Sequence, residues 1–152
     1  MGRPRGFDEQ AVTAAAAALF ASRVYDGVSV DDLVQQLGVH RNSLYKTFGS
    51  KRGLYLAALR WYLQHRLPPL AERLATGADI VDDPELDLVL LAAVERAPVD
   101  IEVAALVAEA LHTLDQALQQ VTTVPTDGSP SAALSSLLGE RLRVRATAAS
   151  TG

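Results

Sequence analysis

The sequence predicts an all-α protein built in two units, residues 1–66 and 67–152. Three observations carry that prediction. Apolar residues recur at three- and four-residue spacing along most of the chain, and no stretch alternates as a half-buried strand would. Glycines and N-capping residues stand at the ends of those periodic runs. Composition changes near residue 66. All eight aromatic residues lie before residue 63, and residues 1–66 hold nine Lys+Arg against five Asp+Glu, whereas residues 67–152 hold five against thirteen.

A chain of 152 residues is long enough for one ordinary domain or two small ones. It has no cysteine, which excludes disulfide scaffolds, thiol catalysis and cysteine-bound zinc. No apolar run approaches the ~18 residues of a membrane span. Met1 to Glu9 is polar and basic and does not have the form of a signal peptide, so a cytoplasmic protein is expected. A basic front half and an acidic back half give the front alone the charge to meet a polyanion.

The elements follow in order. Met1 to Gly6 is a flexible arm, broken by Gly2, Pro4 and Gly6 and charged by Arg3 and Arg5. Asp8 to Ser22 is helical, with Val12, Ala16, Leu19 and Phe20 on one face and acids at its start. Asp26-Gly27 marks a turn. Ser29 begins the next helix as N-cap, with Asp32 placed to complete a capping box. Val30, Leu33, Val34 and Leu37 form its buried stripe, and Gly38 ends it. A short helix begins near His40 or Arg41 and runs to about Phe48, before Gly49-Ser50. Ser50 caps a longer helix, Lys51 to about Arg66, and Pro68-Pro69 then interrupts the pattern. Three more helices are expected: Pro84 to Arg96, Val99 to Thr122, and Pro130 to about Ala148, with a loop at 123–129.

Helix, glycine turn and short helix at 29–48 form a helix-turn-helix layout, in which the second helix offers one face to a DNA major groove. On a wheel of 100° per residue, Leu44 and Phe48 are the inward face of that helix. Asn42 and Lys46 point most directly outward, Ser43 and Tyr45 lie on the flanks, and Arg41 and Thr47 are nearer the core side. Asn pairs with adenine, Arg or Lys with guanine, and Ser, Tyr and Lys with phosphate. Lys51, beside the free N–H groups at a helix start, also suits a phosphate. Arg3 and Arg5 form either an arm for the minor groove or a plain solvated N-terminus.

The stretch from Val28 to Lys51, with Ser43-Leu-Tyr-x-x-Phe-x-x-Lys51 at its heart, resembles the DNA-binding segment of TetR-family transcriptional regulators. The opening Gly2-Arg-Pro-Arg-Gly-Phe-Asp8 is similar to one branch of that family. The resemblance covers about residues 2–62. It implies an all-α fold: an N-terminal three-helix helix-turn-helix, homeodomain-like domain with its arm and connecting helix (1–66), plus a small helical C-terminal domain for dimerisation and regulation (67–152). It implies a homodimer that binds a partly palindromic operator in double-stranded DNA, usually as a repressor. Arg41, Asn42 and Lys46 would then read bases. Ser43, Tyr45, Thr47 and Lys51 would contact phosphates, with Ser29 near the backbone. Four positions depart from the family pattern. Thr47 stands where an aromatic residue or His is common, Asp31 where a basic residue sometimes stands, and Arg52-Gly53 where acids are usual.

The resemblance also implies that the last two helices pair with their copies through Val107, Leu111, Leu114, Leu118, Leu134, Leu137, Leu138 and Leu142; the alternative is that these residues close the core of one chain. It further implies release from DNA by a small apolar ligand; a pocket for it would be aliphatic with Trp61 or Tyr62 at its edge, the alternative being that those two residues are core between the halves. Two other readings remain open, a DNA-binding dimer without an effector and a helical protein-interaction module. No catalytic set is visible. His40, His65 and His112 are scattered, the acids at 79–87 lack calcium-loop spacing, and phosphate-binding glycine loops are absent. Neither enzymatic activity nor a metal or cofactor is expected.

Overall fold

The computed structural model describes residues 7–121 and 130–148, which form eight α-helices without a strand among the described residues. Arg3, Arg5 and the expected loop at 123–129 lie outside the described residues. Helix α1 (Glu9–Ser22) starts at Asp8, whose carboxylate accepts from the N–H groups of Gln10 and Ala11 at 3.0 and 3.2 Å. Its buried face, Val12, Ala16, Ala17 and Phe20, packs mainly on α4 (Lys51–His65). Between them lie α2 (Val30–Leu37) and α3 (Arg41–Phe48). The expected capping box is present: Asp32 N–H donates to Ser29 Oγ at 3.0 Å, and Ser29 N–H donates to Asp32 Oδ2 at 2.8 Å. Gly38 leaves α2 with φ 64°, a left-handed conformation that costs a glycine little.

Pro68-Pro69 does not break the helical pattern. Leu67–Ala75 forms α5, with both prolines in the first turn, where a missing N–H leaves no hydrogen bond unmade. Only Arg66 separates α4 from α5. Leu67, Leu70, Ala71 and Leu74 are the buried stripe of this helix.

The Pro84–Arg96 segment is helical throughout but winds three ways. A 3₁₀ turn (Pro84–Leu86) leads into α6 (Asp87–Leu91), and a π turn follows (Ala92–Arg96), with Ala97 N–H donating to the Ala92 carbonyl at 2.9 Å. Asp100 then caps α7 (Ile101–Val121) through the N–H groups of Glu102 and Val103. Val99, the expected start of that helix, lies before it and is 72% exposed.

Helix α8 (Pro130–Ala148) packs on α7, with a stripe different from the expected one. Leu134 is buried and Leu137 and Leu138 are half-buried, but the next inward position is Arg141, not Leu142. Arg141 donates to both carboxylate oxygens of Asp87 at the start of α6, Nε to Oδ1 at 2.8 Å and Nη2 to Oδ2 at 2.9 Å. Arg145, one turn on, reaches the same carboxylate at 2.7 Å. Leu142 is therefore turned outward and is 42% exposed.

The expected dimer contacts divide accordingly. Val107, Leu114 and Leu134 are buried in the chain's own core, which corrects their assignment to a surface between two copies. Leu111, Leu118, Leu137 and Leu138 are half-buried against that core. The physical reason is α5. It lies along α7 and covers part of the apolar seam, which favours the reading in which these residues close the core of one chain. One buried apolar cluster runs from Val12 through Tyr55, Tyr62 and Leu88 to Leu134, so residues on both sides of position 66 share a core. No described helix is long and apolar enough to cross a membrane.

Candidate nucleic-acid interface

Helix α3 is two turns long, too short to hold itself in water. It is fixed from behind. Leu44 is 5% exposed, and Phe48 is half-buried and stacks on Phe7 with ring centroids 6.4 Å apart. Phe7 precedes α1, so this stack places the root of the N-terminal arm beside α3. The arm's neighbour was not foreseen from sequence, where Phe7 carried no periodic signal.

Of the predicted readers, Arg41, Asn42, Tyr45, Lys46 and Thr47 are exposed, Tyr45 at 40%. Ser43, assigned to a flank, is half-buried, while Thr47, one turn on and assigned nearer the core, is open. A 100° periodicity finds the buried stripe but not how far neighbouring elements reach around it. The α3 backbone ends at Gly49, φ 78°, whose N–H donates to the Tyr45 carbonyl at 2.8 Å.

Two candidate contacts are already engaged. Arg41 pairs with Asp31 of α2, and both side chains are exposed. Such a pair is worth roughly 0–1 kcal/mol, too little to keep Arg41 from a phosphate or a guanine. Lys51 is half-buried, with its ammonium 4.1 Å from the centre of the Tyr25 ring. Burial pushes its pKa below the ordinary lysine value. Arg96 of the π turn lies over the same ring at 4.4 Å, so Tyr25 ties Lys51 to the C-terminal half. Ser29 spends its N–H on Asp32, which leaves only its hydroxyl hydrogen for a phosphate.

The turn into α4 is tightly built. Ser50 Oγ accepts from Gly53 N–H at 3.0 Å. A Cβ at position 53 would stand 1.9 Å from the Phe48 carbonyl oxygen, so only glycine fits there. Arg52 beside it donates to both carboxylate oxygens of Asp100, at 2.7 and 2.9 Å, and to Glu102 at 3.0 Å. These bonds hold the Asp100 carboxyl down, at a pKa of about 2. The unusual Arg52-Gly53 thus has a local cause: glycine closes the turn from α3, and arginine bolts α4 to the cap of α7. Sequence reasoning missed both Tyr25 and Asp100, whose partners lie far along the chain.

Residues 12–58, which span α1 to most of α4, match the family described as "Bacterial regulatory proteins, tetR family". The HTH-type transcriptional regulator YezE of Bacillus subtilis (strain 168), described as uncharacterized, is 34% identical over 121 residues, 68% of this chain and 62% of YezE. The helix-turn-helix segment, residues 12–58, is thus a TetR-family one. The HTH-type transcriptional repressor BdcR of Escherichia coli (strain K12) is 41% identical over 71 residues, 47% of this chain and 36% of BdcR. The chain thus spans less than two thirds of the length of these curated relatives. A solved structure of the TetR family regulator CifR, a triple cysteine mutant complexed with 26-bp double-strand operator DNA, superposes with a TM-score of 0.65 at 22% identity. It covers 93% of this chain and 88% of that one, and shows the same TetR fold, an N-terminal helix-turn-helix with a helical C-terminal part.

Proposed function

We propose that the chain is a sequence-specific DNA-binding regulator of transcription, acting as a homodimeric repressor on a partly palindromic operator in the cytoplasm, and not an enzyme. One observation carries this reading above the others. α3 is pinned by Leu44 and Phe48 so that Arg41, Asn42, Tyr45, Lys46 and Thr47 all face solvent together. Asn42 and Lys46 read base edges, with Arg41 at the helix start; Tyr45, Thr47 and Lys51 hold phosphates, with Ser43 and Ser29 at the margins. The likeness to YezE and BdcR, both described as transcriptional regulators, supports it.

A second copy is needed because a two-turn helix reads only a few base pairs. Two such helices about one DNA turn apart, ~34 Å, read a palindrome. The surface open to that second copy is the outer side of α7 and α8, where Leu111, Leu118, Leu137 and Leu138 are half-covered and Leu142 is exposed. A small, largely apolar molecule releases the dimer from its operator.

The test is selection of bound duplexes from random DNA by the purified chain, followed by sedimentation of the complex. The expected result is an inverted repeat, two chains per duplex, and affinity that falls steeply as salt rises. Absence of any salt-dependent duplex binding would favour a helical protein-interaction module instead.

A further inference from the structure

Two kinds of partner hold the cations around the reading helix. Arg41 is held by Asp31, while Arg52 and Arg60 share Glu102, with Asp100 added on Arg52. Lys51 is held differently. Among the described residues no carboxylate pairs with its ammonium and no hydrogen bond engages it; its contact is the Tyr25 ring, 4.1 Å away at the centroid. Asp26 and Asp32 act on it only from beyond ion-pair distance, and Asp32 is spent on Ser29.

We propose that Tyr25 is the positioning residue for the phosphate contact of Lys51. The ring holds one side of the ammonium, and the N–H groups on its other side take a phosphate oxygen of the duplex. The proposal rests on the DNA-binding reading above and adds to it a residue that need not touch DNA itself.

A carboxylate in this place would cancel the charge that meets the duplex, and it would have to be given up before a phosphate could bind. An aromatic face attracts a cation through its quadrupole and carries no net charge, so the whole positive charge of Lys51 is left for the phosphate. A lysine stem also loses entropy when binding freezes it; a stem already laid on a ring has less to lose. The ring itself is fixed. Phe20 stacks on it at 5.9 Å, Tyr55 meets it edge-on at 4.8 Å, and the Tyr25 backbone N–H donates to Glu95 at 3.1 Å. Arg96 lies over the same ring at 4.4 Å but faces Asp100 at 3.8 Å, so of these two cations only Lys51 lacks an ion-pair partner. The Tyr25–Gly27 turn leads to Ser29, so Ser29 and Lys51 both take their places from one turn. The rival account is that the Lys51 stem merely covers the ring. The two accounts differ in what they couple.

Duplex affinity of the full chain is measured across a salt series for the parent, Lys51→Ala, Tyr25→Leu, Tyr25→Phe and the double variant of Tyr25→Leu with Lys51→Ala. Circular dichroism checks that each is folded. Lys51→Ala is expected to weaken binding and to make the salt slope shallower by about one. Tyr25→Leu fills space without an aromatic face; it should lose most of the same factor, about fivefold, and cost nothing further once Lys51 is alanine. Tyr25→Phe keeps the face and should bind like the parent. Losses that add in the double variant overturn the role, as do parent affinity in Tyr25→Leu and a Tyr25→Phe loss as large as that of Tyr25→Leu.

A second readout does not depend on the Tyr25 variants folding. Lys46 and Lys51 are the only lysines of the chain, so lysine-labelled protein gives two ε-methylene signals by NMR. The Lys51 signal, assigned by its disappearance in Lys51→Ala, should lie upfield of the other because it stands over the ring, and should stay there when duplex is added. Coincident signals, or an upfield shift lost on the duplex, contradict the proposal. A parent chain that binds no duplex refutes the DNA-binding reading; one that binds while the two losses add refutes the role of Tyr25 alone.

Discussion

The α2–α3 region and the α6–α8 region are both held to one core, but by different forces. α2 and α3 are set by signals a few residues apart: the Ser29–Asp32 box, Gly38, Leu44 with Phe48, and the Ser50 cap. α6 and α8 are set by a carboxylate and two guanidiniums more than fifty residues apart, Asp87 with Arg141 and Arg145. The first arrangement leaves a polar face free for a partner. The second buries its charges and so makes the position of α8 depend on one side chain. Local capping specifies a reading head, whereas a buried ion cluster specifies how the rest of the molecule is fastened to it.

Breaking the second region should cost most. Asp87→Asn leaves Arg141 buried without its counter-charge and should lower stability by about 3–5 kcal/mol in urea unfolding. A loss under about 1 kcal/mol would mean that the cluster is not what fastens α8. Next is Gly53→Ala, which drives a methyl into the Phe48 carbonyl. A loss of about 1–3 kcal/mol is expected, together with weakened duplex binding as α3 shifts. A fully stable variant with parent affinity would show that the turn has room.

Most of α1–α4 was legible in the sequence because caps, glycines and apolar stripes act over three or four residues. Three features were not. α5 was hidden by Pro68-Pro69, which breaks a helix in its middle but is harmless in its first turn. The inner face of α8 was misjudged because hydrophobicity was the guide, and Arg141 is inside only because Asp87 waits there. The tie between Lys51 and Tyr25 joins two residues that no periodic pattern relates. In the candidate interface, the outward set of α3 was readable from the wheel, while the engagement of Arg41 by Asp31 and the cover over Ser43 depend on α2 and its neighbours.

Smaller changes sharpen the contrast on the local side. Ser29→Ala removes one half of the capping box and should cost about 1 kcal/mol. A cost as large as that of Asp87→Asn would erase the distinction between the two regions. Asp31→Asn should barely alter stability, since an exposed pair contributes at most about 1 kcal/mol. It should raise duplex affinity at low salt by removing a negative charge and freeing Arg41, and fluorescence anisotropy reads this directly. Unchanged affinity would show that Arg41 does not approach the DNA.

The direct test of the central claim is Asn42→Ala against a duplex chosen by the parent chain, measured with every single-base variant of one half-site. Loss of preference at one base position, by about 1–3 kcal/mol, with other positions and the salt slope kept, is the predicted result. An unchanged preference at every position would contradict the assignment of α3 as the helix that reads DNA.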